Sequence, residues 1–524
     1  MKNQIKISLK LLIFMGILLG IAIRLYFLKN HFTHCDDIGV AIMINAKSTL
    51  FGKFRSFTDW TYAPLQFTLL APLISIAKSY YSTIILGRIP SFLFGVLNIF
   101  LAHYVLRKFI SSSWAILLGD LLLALSWENI IYSAQMEPYV IAITFILLQV
   151  WLLHFWQNDV NTSLTKKCIL TCIVAILSCY AQYQLFLFVF ALFISLLLLK
   201  KVKLKKILPY GVFTILMNIP LIYLILRLLR AGFNTNWNVG IHREFIFDGS
   251  VNVFKFFVDN FACIVRYFFT SDIAIANIIT IILLFLFFIG LLALNRNENL
   301  LIGIYFDIIL FLYVALVFLG KLAFGPSRQN LVLFPIILIS ITIGANILCR
   351  FKLFTMKIGT ILSLILSLCT IVSFVMVARD EIINRTNMVS EDFMAKCIED
   401  YQPSKIISYG GEKYDFLILK FNGYEQNSKW LRYGLFTKNE NNNNRIMIVG
   451  NVPLTDKVYE KEIVRRELFK RTDIFTEPIT WKQLNVVYAN EFTTDKQIDY
   501  ASKYYNNTEN GFCVYVVDVK KEIE

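Results

Sequence analysis

Between Lys10 and Ala378 the chain alternates long apolar runs with short polar stretches, and most of the runs show no polar face. Runs of this kind, near the ~20 residues that cross a bilayer as helix, predict membrane spans rather than amphipathic helices on a soluble core. They fall near 10–28, 83–106, 113–132, 137–156, 167–182, 184–200, 207–229, 272–294, 299–320, 329–349 and 355–378, about eleven in all. Tyr62–Ala77 is also apolar, but it is short and carries Pro64 and Pro72, so it is expected to dip into the membrane or lie along it. After Ala378 the pattern changes. Asp380–Glu524 is polar and contains an Asn run at 441–444. Short β-rich runs (Lys405–Tyr409, Phe416–Leu419, Arg445–Val449, Phe512–Val519) alternate there with amphipathic stretches (Glu391–Tyr401, Tyr459–Lys470). The expected architecture is an all-α polytopic membrane protein over residues 1–379, followed by a small α/β domain over 380–524.

Loop charge sets the expected orientation. Lys2/Lys6/Lys10, Arg107-Lys108, Lys166-Lys167, the basic run Lys200–Lys206, Arg296 and Arg350/Lys352/Lys357 all fall on one side if Tyr62–Ala77 does not cross. Basic loops stay in the cytoplasm. The N-terminus is then inside, and the α/β domain is outside. The loops at 30–82 and 230–271 and the turns at Tyr132–Glu137, Tyr180–Tyr183 and Lys321–Arg328 also face out. The N-terminal apolar run is too long for a signal peptide core and lacks a small-residue cleavage site, so the first helix is expected to remain uncleaved.

Composition agrees: 57% of the 524 residues are hydrophobic, and mean hydropathy is +0.61. The formal charge of +15 could suggest a nucleic-acid partner. No basic stripe persists along one soluble helix, and basic cytoplasmic loops account for the excess, so no nucleic acid is expected. Of the nine cysteines, Cys168, Cys172, Cys179, Cys349 and Cys369 fall in or beside apolar runs, as packing residues do. No Cys/His spacing suits zinc. Cys397 and Cys513 share the C-terminal region, where they either pair or remain free thiols.

Candidate chemistry gathers on the segments expected outside. Asp36 and Asp37 follow the first span directly. Adjacent carboxylates repel each other and hold water, so they suit a proton acceptor, a cation or a partner arginine. The alternative is an exposed N-cap for a helix starting near Ile38. Further along stand the segment Tyr62-Ala63-Pro64-Leu65-Gln66-Phe67 and then Gly87-Arg88-Ile89-Pro90-Ser91-Phe92-Leu93-Phe94-Gly95.

In that order these three elements resemble the polytopic GT-C glycosyltransferases, in particular the protein O-mannosyltransferase and aminoarabinose-transferase-like group. The resemblance covers residues 10–350. It implies an integral-membrane glycosyltransferase that moves a sugar from a polyprenyl phosphate to an extracytoplasmic glycan, lipid or protein, with inversion. It implies that Asp36 is the base, with Asp37 in support, and that Tyr62 lies among the substrate-binding residues. The segment Ser133-Ala134-Gln135-Met136-Glu137-Pro138-Tyr139 resembles the family's second acidic or polar motif. Glu137 would orient the acceptor or pair with a base such as Arg88, unless Glu137-Pro138 is simply a helix start. Many relatives carry an arginine near this point. Arg88 resembles the family's Arg-x-Pro-Ser, where a guanidinium offsets a carboxylate or the lipid phosphate; the alternative is a side chain snorkelling to the interface. Arg328 resembles the arginine that opens a late helix, although Gln329 and Asn330 stand where an aromatic is usual. It would hold the carrier phosphate with help from Lys321, or else anchor the helix at the membrane edge. Tyr183, in Tyr180-Ala181-Gln182-Tyr183, resembles a rim aromatic that stacks on sugar or prenyl, or is an ordinary interfacial tyrosine. No cofactor is required; a divalent cation at Asp36 and Asp37 is compatible with the motif. Membrane lipids are expected partners.

Two other classes use the same residue types. A transporter or flippase of lipid-linked sugars also places carboxylates and arginines in spans, but such folds often show paired halves with broken helices, and no pseudo-repeat is visible here. A non-catalytic cell-envelope assembly protein would rely on the C-terminal domain.

Overall fold

The computed structural model describes residues 2–30, 35–45, 49, 64–198, 204–230, 245–249, 251–270, 276–296, 299–353, 356–384, 390–409, 422–429, 433–438, 445–450, 484–492 and 512–519. The membrane part runs α1 (Lys2–Asn30), α2 (Cys35–Asn45), α3 (Pro64–Ser75), α4 (Tyr80–Phe109), α5 (Ser113–Ala124), α6 (Trp127–Tyr132), α7 (Tyr139–Asn158), α8 (Leu164–Ala181), α9 (Leu185–Leu197), α10 (Leu204–Arg230), α11 (Val253–Phe269), α12 (Ala276–Leu294) and α13 (Leu300–Phe318). A 3-10 turn (Arg328–Leu333), α14 (Phe334–Leu348) and α15 (Ile358–Asn384) complete it. Among the described residues nine helices are long and apolar enough to cross a membrane, so this is a multi-pass membrane protein. The other two expected spans appear as shorter apolar helices, α5 and α9. α3 is likewise a short apolar helix, with Pro72 inside it.

The segment 113–132, expected as one span, is two helices. It breaks at Leu125–Ser126 because a side chain from elsewhere takes the last carbonyls of α5. Arg24 of α1 donates from Nη1 to Ala124 O at 2.7 Å and from Nη2 to Leu123 O at 3.2 Å. These carbonyls lack intrahelical partners at a helix end, and a fully buried guanidinium satisfies them. The loop expected over 230–271 also contains a helix, α11. Its apolar side buries Phe256, Ile264, Val265, Phe268 and Phe269, while Lys255 and Asp259 stay exposed.

Burial separates the centre of the bundle from its lipid-facing rim. In the most apolar stretches of Arg328–Leu348 and Tyr139–Asn158, 83% and 78% of the residues are buried by protein, against 28% in those of Leu9–Asn30 and Lys205–Arg227. α14 and α7 therefore form the middle. Lipid tails are as apolar as leucine, so helix association in a membrane rests on close packing and interhelical hydrogen bonds. Both are present. Tyr305 OH donates to Gln149 Oε1 at 2.8 Å, and Gln149 Nε2 donates to Ser178 Oγ at 2.9 Å, tying α13, α7 and α8 together. α12 and α14 meet at glycines: a Cβ on Gly290 would lie 1.8 Å from Ser340 O, and one on Gly344 would lie 2.0 Å from Leu286 O. The obstacle is backbone on both sides and cannot turn away. Gly344→Leu is therefore expected to cost about 3 kcal/mol or more, read as a lower unfolding temperature in detergent. Gly211→Ala, whose new Cβ would meet only Phe193 ring atoms at 3.9 Å, should match wild type. Equal stability of the two variants would show that α12 and α14 do not touch in this way.

Contacts divide the chain into two compact units. One comprises Met1–His31, Met43–Ser75 and Ile85–Arg379; the other comprises Phe32–Ile42, Ile76–Ile84 and Asp380–Glu524. After α16 (Ser390–Tyr401), the second unit holds a six-stranded sheet. Numbering follows the two-residue strands β1 (Lys352–Leu353) and β2 (Met356–Lys357), which precede α15. The sheet then contains β3 (Lys405–Tyr409), β4 (Glu425–Lys429), β5 (Tyr433–Thr437), β6 (Arg445–Gly450), β7 (Leu484–Phe492) and β8 (Phe512–Val519) in the order β4-β5-β3-β6-β8-β7. β3 and β6 are parallel and the other pairs antiparallel. The predicted runs at 405–409, 445–449 and 512–519 are β3, β6 and β8, and 391–401 is α16; 416–419 and 459–470 lie outside the described residues. Ile446–Val449 and Val514–Val517 are buried at every position, as central strands covered on both faces require. Arg445 Nε meets Asp518 Oδ1 at 3.0 Å across the register pair Arg445↔Asp518. Cys397 is a free thiol, 3% exposed, with its pKa pushed up to about 12 by burial; the side chain of Cys513 lies outside the described residues.

Candidate functional site

The connection Ser133–Pro138, between α6 and α7, is clamped on several sides. Arg24 Nε donates to Ser133 Oγ at 3.2 Å, and the Ser133 N–H returns to Asn129 O at 3.2 Å. The Gln66 amide of α3 donates to Met136 O. Ser91 of α4 donates to Glu137 O at 3.2 Å, and a Cβ on Gly87 would collide with Met136 Cε at 2.4 Å. Ser133, Met136 and Glu137 are all buried. α1, α3 and α4 thus hold the backbone of Glu137 in place.

Onto this fixed carboxylate the chain brings Arg328. Its Nη1 lies 2.6 Å from Glu137 Oε1; the Glu137 side chain is 1% exposed and that of Arg328 31%. Arg328 opens the 3-10 turn, which packs on α7. The turn is pinned from within: Asn330 Nδ2 donates to Gly325 O at 2.8 Å and to Ser327 Oγ at 3.1 Å, and the Tyr313 hydroxyl donates to Asn330 Oδ1. Asn330, in the place of an expected aromatic, therefore orders the Arg328 turn. The result is a guanidinium held against a buried carboxylate, with its side chain 31% exposed. A short charge-assisted contact of this kind is strong and directional.

The other sequence candidates fall as follows. Arg88 is 1% exposed and donates from Nη1 to Leu28 O in the last turn of α1, at 3.4 Å. It is buried, so snorkelling to the interface does not describe it. Its neighbour Gly87 packs on Met136, so the Arg88 turn and the Glu137 connection are adjacent. Tyr183 packs in a small apolar cluster with Cys179, Val189, Leu221 and Leu224. Lys321 is exposed, and its backbone N–H caps α13 at Leu316 O, 2.9 Å. Asp37 is fully buried on α2. α2 begins at Cys35, so the acidic pair lies inside its first turn instead of capping a helix at Ile38. The side chain of Asp36, and Tyr62 altogether, lie outside the described residues. Among the described residues no three of His, Cys, Asp and Glu come together as a metal site.

Three residues that the sequence reading passed over also belong here. Glu128 and Tyr132 lie one turn apart on α6, and Tyr267 comes from α11. The Glu128 carboxylate and the Tyr267 phenol lie close enough to interact electrostatically, and the Tyr132 and Tyr267 hydroxyls are 3.5 Å apart. Tyr132 lies within electrostatic range of Glu128, Glu137 and Arg328. The signal was available: Glu128 and Arg24 are charges inside predicted spans, which default to a functional or structural role.

No family model and no curated protein matches this chain. Among solved structures, the apo crystal structure of ArnT from Cupriavidus metallidurans matches with a TM-score of 0.39 and 12% sequence identity, over 64% of this chain and 59% of that one. The chain thus aligns with under two thirds of that protein's length, and the likeness assigns no residue a role here.

Proposed function

We propose that this chain is a GT-C-type membrane glycosyltransferase that moves a sugar from a polyprenyl-phosphate donor to an extracytoplasmic acceptor with inversion. The observation that carries the reading is the Glu137–Arg328 pair. Two residues that the motif order singled out, 191 positions apart in sequence, meet at 2.6 Å with the carboxylate buried. Burying an ion pair costs desolvation, and the Arg328 side chain stays 31% exposed, so this positioned guanidinium suits binding of an anion such as a lipid phosphate.

In the proposed reaction the acceptor hydroxyl oxygen attacks the anomeric carbon, and the bond from that carbon to the phosphate oxygen breaks. The hydroxyl proton passes to Asp36, supported by Asp37. The lipid phosphate leaves with the bonding electron pair, and Arg328 offsets its growing charge with Arg88 and Lys321 as further cations. Tyr62 and Tyr183 would line the substrate path. A divalent cation would use Asp36 and Asp37. In this reading the basic loops stay in the cytoplasm, so the N-terminus would be inside and residues 380–524 would form a separate domain outside. Impermeant labelling of single cysteines in intact cells tests that orientation: a Cys at position 203 that reacts while one at 430 does not would reverse it.

The decisive assay supplies purified protein in nanodiscs with polyprenyl phosphate carrying a radiolabelled sugar, plus membrane extract as acceptor source. Release of polyprenyl phosphate with movement of label to acceptor supports the reading. Label crossing the bilayer still attached to its lipid would instead make the protein a flippase.

A further inference from the structure

We infer that Glu128, Tyr132 and Tyr267 form a subsite for the hydroxyl groups of a neutral sugar ring beside the Glu137–Arg328 pair. The inference rests on the glycosyltransferase reading for its place in a reaction, but its ligand chemistry comes from the residues themselves.

Several carboxylates of the fold face a basic side chain. Glu137 has Arg328, Asp159 has Lys167, Asp518 has Arg445, and Asp120 has the imidazole of His103. Among the described residues no ion pair includes Glu128, and the Tyr267 phenol is the neutral donor within range of its carboxylate. A half-buried carboxylate with one neutral donor retains acceptor capacity, since an ionised carboxylate offers about four lone-pair positions. Holding such a group in a membrane protein is costly unless a ligand completes it.

The surroundings suit a diol better than a cation. Tyr132 stands four residues after Glu128 on the same face of α6. Its hydroxyl lies 3.5 Å from that of Tyr267, and its ring packs edge-to-face on Tyr139 at 5.4 Å between centroids. Each phenol can both donate and accept, and vicinal hydroxyls offer the same pair of roles. The tyrosine rings add apolar surface for the C–H face of a sugar. Tyr132 lies within electrostatic range of Arg328 and Glu137, so a ring seated on Glu128 would lie near the guanidinium assigned to the phosphate. The two halves of a lipid-phosphate sugar would be recognised by neighbouring groups.

The test uses the full chain in nanodiscs and two conservative variants, Glu128→Gln and Tyr267→Phe. The second removes a single oxygen and guards against misfolding of the first. The probes are undecaprenyl phosphate, undecaprenyl phosphate carrying mannose, glucose or galactose, and the corresponding methyl glycosides. Wild type should bind at least one sugar-bearing lipid more tightly than the bare lipid. Both variants should bind the bare lipid as wild type does and lose about 10–100-fold for the sugar-bearing one, the loss expected for a hydrogen bond to a charged group. Variants that bind the sugar-bearing lipid as wild type does overturn the subsite, as does a wild type that gains nothing from the sugar or gains only from an amino sugar. If no lipid binds wild type, the donor reading fails, and the methyl glycosides decide the subsite. Binding to wild type that both variants lose upholds it, and no binding overturns it.

Discussion

Asp36→Asn is expected to lower the transfer rate by about 10²–10⁴, the usual cost of removing one general base, while leaving donor affinity near wild type. Asparagine keeps the shape and hydrogen-bonding capacity of aspartate but cannot take a proton at neutral pH. Asp36 lies in the first turn of α2, where either residue is tolerated, so the loss should appear in kcat and not in yield. Asp37 offers the contrast. Its side chain is fully buried, so Asp37→Asn should also lower the unfolding temperature. The measurement is turnover at saturating labelled donor, with donor affinity determined separately. Retention of most turnover by the Asp36 variant removes it as the base, and Asp37 and Glu137 become the candidates to substitute next.

What the sequence conveyed and what it withheld divide along the range of the interactions. Span positions follow from local composition, and each expected span has a helix in its place. The break in 113–132 was hidden because Arg24, a hundred positions away from Ala124, supplies the bonds that end α5. In the sheet, β3, β6 and β8 are legible as apolar runs because they are central. β4, with the sequence Glu-Gln-Asn-Ser-Lys, has no apolar pattern and is an edge strand by its pairing alone. β7, the opposite edge, also went unseen although Val486 and Val487 are in it. At the site, the sequence singled out Glu137 and Arg328 separately, but their pairing depends on how the 3-10 turn docks on α7. Glu128 was passed over because it sits at the end of a run that read as membrane span, and its partner Tyr267 lies on a helix, α11, that read as loop.

Arg328→Ala is expected to weaken use of the lipid donor by about 10–100-fold, the cost of losing a hydrogen bond to a charged group. It should do so far more than Asp36→Asn weakens donor binding. The contact with Glu137 adds a second effect that the measurement has to separate. Glu137 Oε1 lies 2.6 Å from Arg328 Nη1 on a side chain 1% exposed, and removing one partner of a buried pair commonly costs about 3–5 kcal/mol. The alanine variant should therefore also be less stable. Arg328→Lys distinguishes the two roles. Lysine retains the positive charge for Glu137 and should recover most of the stability. It cannot hold Glu137 with one arm and a phosphate with the rest of a planar fork, so donor affinity should return only in part. A further comparison, Glu137→Gln, leaves the guanidinium in place but loosens it, and should weaken the donor less than Arg328→Ala does. The readouts are unfolding temperature and donor titration, each in nanodiscs. If Arg328→Lys restores both stability and donor affinity fully, the arginine serves only as the partner of Glu137 at the head of a span. The phosphate is then held elsewhere, and Arg88, buried next to the same connection, becomes the residue to substitute.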